Sequence, residues 1–278
     1  MQRIFDPISQ NALIYIDDIL LFSKTADEHR NLLSHFYSLC IQYGIMLSHK
    51  KMILAAPEIE FLGMKIANSS FQLQPHIANE LLTFPEENLS KVQVQQFLGI
   101  LTYASDFIQN LSEIIHPLRL MLRKNPPSWS PAQTHAIQKI KQLIPSLPPL
   151  QIPSDGIRIL QTDASDTYWG AILLEQKDGQ IRVCAYKGGR FSDPQLHYHS
   201  TLKEIIAVKK GIEKFQFHLI GHHFIVQSDM KAFPQMLNFK NKTIPPPQLL
   251  RLKEWFSQFD FTVQHIPDKE NTLADFLS

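Results

Sequence analysis

The sequence has only two cysteines, Cys40 and Cys184, in 278 residues. Two thiols provide neither a disulfide framework nor a zinc ligand set, so a reducing intracellular compartment, cytoplasm or nucleus, is expected. Long apolar runs are also missing. The longest, 12–22 and 41–47, are short or interrupted by Asp or Gln, below the roughly 18–20 residues of a membrane span. No membrane partner is expected. The opening Met-Gln-Arg-Ile-Phe-Asp-Pro lacks the apolar centre of a signal peptide. Charge of one sign is lacking too: 27 basic and 26 acidic residues leave a net charge of +1. Proteins that bind polyanions are often more basic. The lysines do cluster, as Lys50-Lys51, as Lys203 with Lys209, Lys210 and Lys214, and as Lys240 with Lys242. Binding of nucleic acid would rely on such patches, or on bound metal, to offset the acids.

What is present is a globular balance, 44% hydrophobic and 19% charged, in a chain long enough for two domains. Pro145, Pro148, Pro149 and Pro153 mark a boundary, because proline removes backbone donors and biases its predecessor away from helix. Before it, apolar segments at 13–15 and 19–22 flank Asp17-Asp18 as a hairpin. Thr25 and Glu28 form a capping box, and Leu32, Phe36, Leu39, Cys40 and Tyr43 then recur at helical spacing up to Gly44. Short strands are expected near 45–47, 52–54, 60–66 and 71–73, with a turn at Asn68-Ser69-Ser70. From Pro75 to about Leu143 the pattern is helical, with a second capping box at Ser90 and Gln93 and an apolar face of Val94, Phe97, Leu98 and Leu101. After the prolines come strands at 157–163, 168–175 and 181–187, a helix at 200–217, a strand at 223–229, a helix at 248–259, a strand at 261–265 and a last helix starting near 271. That order implies a mixed sheet covered by helices.

Alternate residues of a strand share a face. Ile159, Gln161 and Asp163 therefore align, and Ile225, Gln227 and Asp229 repeat the same series of apolar residue, Gln and Asp. Glu204 lies near the start of the intervening helix, and Asp275 in the last segment. Phosphodiester cleavage requires stabilisation of both an attacking and a leaving oxygen, which two Mg²⁺ ions about 3.5–4 Å apart supply. Mg²⁺ takes oxygen ligands and retains waters, so a few carboxylates suffice. Without metal, packed carboxylates repel and raise one another's pKa. A lone Asp at a strand end is more often a turn or cap residue, so spacing alone leaves the role of these acids open.

The wording around these acids resembles a known family. Gln161-Thr162-Asp163-Ala164-Ser165 with Trp169-Gly170-Ala171, the run from Tyr198 to Glu204, Gln227-Ser228-Asp229-Met230-Lys231, and His265-Ile266-Pro267 followed by Glu270 to Ser278 resemble the RNase H domain of reverse transcriptases. By this resemblance Asp163, Glu204, Asp229 and Asp275 are the catalytic, metal-binding set. The first half resembles the polymerase part. Tyr15-Ile16-Asp17-Asp18 is similar to its metal motif, Ser48-His49-Lys50 to the following lysine motif, and Phe61-Leu62-Gly63 to the primer grip. Val94 to Gly99 with Tyr103 resembles the thumb and connection. Within the family the motifs are most like plant pararetroviruses (Caulimoviridae) and their endogenous copies, then long-terminal-repeat retrotransposons.

The resemblance implies an α+β or α/β chain from a retroelement polyprotein: a partial palm and primer grip at 1–74, thumb and connection helices at 75–144, a Pro-rich linker at 145–154 and an RNase H-like mixed sheet with flanking helices at 155–278. It implies Mg²⁺, with Mn²⁺ as a substitute, and RNA–DNA hybrid and primer–template as partners. The nucleic-acid contacts would be Tyr15, Lys50, Phe61, Leu62 and Gly63. The family's third palm aspartate has no counterpart in the first twelve residues, so Asp17 and Asp18 are expected to be vestigial and the polymerase inactive. Two functions remain: a metal-dependent hybrid endonuclease, or an inactive remnant that at most binds nucleic acid. Asp275, three residues from the last, would be weakly held.

Overall fold

The computed structural model of the chain describes residues 2–230, 233 and 247–266. Its contacts divide it into two units, Met1–Leu62 and Gly63–Ser278.

In the first unit, the apolar segments around Asp17 form antiparallel strands β1 (Ala12–Tyr15) and β2 (Asp18–Leu21), with Tyr15 opposite Asp18. Only Ile16 and Asp17 remain for the turn, and Ile16 takes φ 54°, a left-handed value costly for a β-branched residue. No third strand pairs with this hairpin among the described residues, so it offers an open apolar edge. Helix α1 (Ala26–Gln42) begins at the expected capping box. The Thr25 hydroxyl accepts from the Glu28 N–H at 3.2 Å, and the Glu28 carboxylate accepts from the Thr25 N–H at 3.3 Å, satisfying two otherwise orphaned donors. Phe36, Leu39 and Cys40 of α1 are buried with Phe5, Ile8 and Ala12. The strands expected at 45–47 and 52–54 do not form. His49–Lys51 is a 3-10 turn instead, and Met46, Ile53 and Leu54 are exposed. Apolar composition does not make a strand where no neighbour supplies a ladder and a face to pack on. Strand β3 (Glu58–Phe61) follows.

The second unit opens with β4 (Met64–Ala67) and β5 (Ser70–Leu73), antiparallel across Asn68 and Ser69, both at positive φ. A two-residue strand, β6 (Leu150–Gln151), adds to β5 and sets buried Leu150 opposite Phe71. The proline-rich stretch thus contributes to the core, and its prolines flank an edge strand, where a missing N–H is tolerated. Between these strands lie α2 (Pro75–Thr83), α3 (Lys91–Ala104) and α4 (Pro131–Leu143). Ser90 with Gln93 and Ser130 with Gln133 cap α3 and α4. Val94, Phe97 and Leu101 of α3 share a core with Leu118 and with Ile137 and Ile140 of α4.

The large sheet has the order β11-β10-β7-β8-β9. Strands β7 (Ile157–Ala164), β8 (Tyr168–Lys177) and β9 (Gln180–Arg190) form an antiparallel meander. On the other side of β7 lie β10 (Phe224–Ser228) and β11 (Phe261–His265), both parallel to it. Parallel neighbours require crossovers; helix α5 (Ser200–Lys214) precedes β10, and α6 (Pro247–Phe256) precedes β11. Ile205, Val208 and Ile212 of α5 are buried with Leu160, Ala171 and Leu173 of the sheet. Gly211 lets the helix approach: a Cβ there would lie 3.1 Å from Ala171 Cβ and 3.2 Å from Thr162 Cγ2. The other face packs Ile159, Ile172 and Tyr186 with Phe107 and Leu150. This is the mixed sheet with flanking helices expected from the sequence. The helix expected near 271 lies outside the described residues.

Candidate active site

Three elements converge at the carboxyl end of β7. Asp163 is its penultimate residue, paired with Gly170 of β8. Asp229 directly follows Ser228, the last residue of β10. Because β10 runs parallel to β7 with Gln227 opposite Gln161, both aspartates emerge at the same end, two residues past that pair. Glu204 stands at the start of the second turn of α5. That helix is anchored at its beginning: Lys203, buried, donates from Nζ to the Asp166 carbonyl at 2.8 Å and to Asp166 Oδ1 at 3.2 Å. The His199 ring also accepts the Thr201 N–H at 3.3 Å. One carboxylate oxygen each from Asp163, Glu204 and Asp229 lie within 4.8 Å of one another.

The electrostatics follow from this crowding. The Glu204 carboxyl is pushed up to about 8, first by burial and then by the charges of Asp163 and Asp229; a hydrogen bond from the Ala164 backbone offsets part of it. Glu204 Oε2 and Asp229 Oδ1 are buried without a hydrogen-bond partner. Buried acceptors normally have partners, and like-charged carboxylates share a site at a cost. A close group of carboxylates that includes buried, unpartnered oxygens is the donor set a hard divalent cation takes. The residues present therefore fit such an ion.

Next to the acids runs a row of amides. Gln161 Nε2 donates to Gln227 Oε1 at 2.7 Å, and Gln227 Nε2 donates to Gln264 Oε1 at 2.9 Å. The sequence pattern gives Gln161 and Gln227 equivalent places in their strands but does not mark Gln264 as part of the row, and it places Lys203 in a basic cluster rather than in a buried contact. Gln264 carries the same signal, a Gln near the end of an apolar strand, but only the β10–β11 register sets it opposite Gln227. Lys203 reads as a solvated helix lysine, and nothing local in the sequence marks its burial.

The remaining expected site residues within the described part of the chain belong to other elements. Asp17 lies in the hairpin turn and Asp18 begins β2, both exposed, as is Tyr15. Among the described residues they form no metal-ligating group with a third acid. Lys50 is exposed in the 3-10 turn. Phe61 ends β3, and Leu62 and Gly63 turn the chain at φ 48° and 81°. At Gly63 a Cβ would lie 2.5 Å from Tyr103 Cδ1, so only glycine fits both the conformation and the contact. Asp275 lies outside the described residues.

Comparison with known proteins places these features in a family. Residues 1–66 match the model of the reverse transcriptase (RNA-dependent DNA polymerase) family, and residues 129–226 that of the RNase H-like domain found in reverse transcriptase. The whole chain aligns with the genome polyprotein of petunia vein clearing virus (isolate Shepherd) at 52% identity. It also aligns over its whole length with the enzymatic polyproteins of cauliflower mosaic virus (strain NY8153) and figwort mosaic virus (strain DxS), each at 36% identity. The chain belongs to the reverse transcriptase–RNase H region of plant pararetroviral polyproteins. It spans 13% of the petunia vein clearing virus polyprotein and 42% of the other two. The fold of this reverse transcriptase–RNase H chain is also that of a solved foamy viral protease-reverse transcriptase in complex with RNA/DNA hybrid. The TM-score is 0.79 at 20% identity, covering 96% of this chain and 37% of that one. No helix among the described residues is long and apolar enough to cross a membrane.

Proposed function

We propose that the chain hydrolyses the RNA strand of RNA–DNA hybrids at the Asp163–Glu204–Asp229 cluster, with Asp275 as a fourth ligand and Mg²⁺, or Mn²⁺ in its place, as the cofactor. The observation that carries this is the convergence of three carboxylates with two buried, unpartnered oxygens. When bound, a pair of divalent ions stabilises both the attacking and the leaving oxygen of a phosphodiester. The chain's residues supply the frame. Asp163 and Asp229 are fixed by adjacent parallel strands, and Glu204 is held by a helix that Lys203 ties to Asp166. Glu204, which holds its proton to about pH 8 in the metal-free cluster, would be ionised when a cation neutralises its neighbours. The foamy viral structure of the same fold is described with an RNA/DNA hybrid, which supports that substrate class.

The proposal extends to organisation: a partial palm and primer grip at 1–74, thumb and connection helices at 75–144 and the nuclease at 155–278, with the Pro-rich segment 145–154 between them also contributing strand β6 to the core. Tyr15, Lys50, Phe61, Leu62 and Gly63 are the nucleic-acid contacts of the polymerase part. With Asp17 and Asp18 exposed and joined by no third acid among the described residues, templated extension by this chain is not expected. Substrate choice tests the nuclease reading. Purified chain with Mg²⁺ should cut labelled RNA in a hybrid while sparing single-stranded RNA, double-stranded RNA and the DNA strand. Equal cutting of all four would remove the hybrid-specific assignment.

A further inference from the structure

The row of glutamines crosses β7, β10 and β11 two residues before Asp163 and Asp229. Gln161 and Asp163 alternate onto one face of β7, and Asp229 stands two residues after Gln227, just past the end of β10. Between β7 and β10 the paired rows end at Gln161 and Gln227, and β10 ends one residue later. Asp163 and Asp229 therefore project just beyond the last linked row, where two like charges push the strand ends apart. At that last row the Gln161–Gln227 amide bond, 2.7 Å long, adds a side-chain link to the backbone ladder, and the Gln227–Gln264 bond extends it to β11. Gln161 is 8% exposed, so its bond forms largely away from water, where hydrogen bonds are stronger.

We propose that Gln227, with Gln161 and Gln264, is a positioning residue: the amide row holds the ends of β7 and β10 at the separation at which Asp163 and Asp229 serve one divalent-metal site. This rests on the metal-dependent reading above and adds to it a residue set two positions from the ligands. Partners of this kind, which orient ligands without touching the metal, change metal affinity or activity by about 10–100-fold when removed. Gln227 sits at the centre because it is both acceptor and donor. Gln161 and Gln264 each make one of the two bonds.

Gln227→Leu tests this, since leucine keeps a comparable volume and removes both amide bonds. The first readout is Mg²⁺ binding, taken from the metal-induced rise in melting temperature and from calorimetric titration, without substrate. The expected result is a melting temperature in EDTA close to wild type and an Mg²⁺ dissociation constant about 10-fold weaker or more. Cleavage of hybrid should recover at high Mg²⁺, because the defect is in holding the ligands. Gln161→Leu breaks the same inner bond, so the Gln161→Leu/Gln227→Leu double variant should be no worse than Gln227→Leu alone. Gln264→Leu, which breaks only the outer bond, gives a smaller shift and serves if Gln227→Leu does not fold. Unchanged Mg²⁺ affinity in a folded inner-bond variant, or strictly additive losses in the double variant, would overturn the proposal. A wild-type chain that shows no Mg²⁺ response at all would instead defeat the metal-dependent reading on which it stands.

Discussion

Glu204 is the residue in greatest tension. Burial and two neighbouring acids raise its pKa from the usual carboxyl range to about 8. A group whose folded pKa lies above its unfolded value contributes stability that is complete below the unfolded pKa and is lost as pH rises through the folded one. The metal-free chain should therefore lose stability between about pH 4.5 and 8, and thermal melts across that range in EDTA check this. Glu204→Gln cannot ionise. It should melt higher than wild type above pH 8, by about 2–4 °C for each kcal/mol of repulsion removed, yet lose the stabilisation by Mg²⁺. Equal metal-free melting of the two at high pH would contradict the electrostatic account. That Asp163 and Asp229 would meet was legible because strand alternation sets them at equivalent strand ends, whereas Glu204, on a helix, was marked by motif wording alone. That such acids repel was foreseeable, but the size of the effect was not, since burial and spacing arise only after the strands pair.

At the scale of elements, the legible features were those with local causes. The Thr25–Glu28 and Ser90–Gln93 boxes start α1 and α3 where the sequence indicated, because a cap is settled within four residues. The strands expected near 45–47 and 52–54 fail for the opposite reason: a strand needs a partner that local pattern cannot supply. The same limit hid the role of β6 and the register that brings Gln264 beside Gln227. Helix α5 sits close on β7 and β8, where Gly211 leaves no room for a large side chain. Gly211→Leu should cost about 1–3 kcal/mol by overpacking and displace the helix that carries Glu204. Denaturant unfolding with and without Mg²⁺ checks both effects; wild-type stability with a full metal response would show that the helix seat tolerates the bulk.

At the scale of the whole chain, each unit has its own core. In Met1–Leu62 the core is small and centres on stacked Phe5 and Phe36, with ring centroids 5.2 Å apart. Phe36→Ala should cost that unit about 3–5 kcal/mol, read as faster amide exchange in α1. In Gly63–Ser278 the sheet order β11-β10-β7-β8-β9 sets three acids from two strands and a helix at one end. A mixed sheet was legible from the order of elements, and the strand order was not, because parallel neighbours are far apart in sequence. The central claim is that this end of the sheet is a metal-dependent nuclease site. It is tested most directly by incubating the purified chain with a labelled RNA–DNA hybrid in Mg²⁺, in EDTA, and as Asp163→Asn in Mg²⁺. The account predicts RNA cleavage in the first case alone. A folded wild-type chain that leaves the hybrid intact, or an Asp163→Asn chain that cuts as well as wild type, would contradict it.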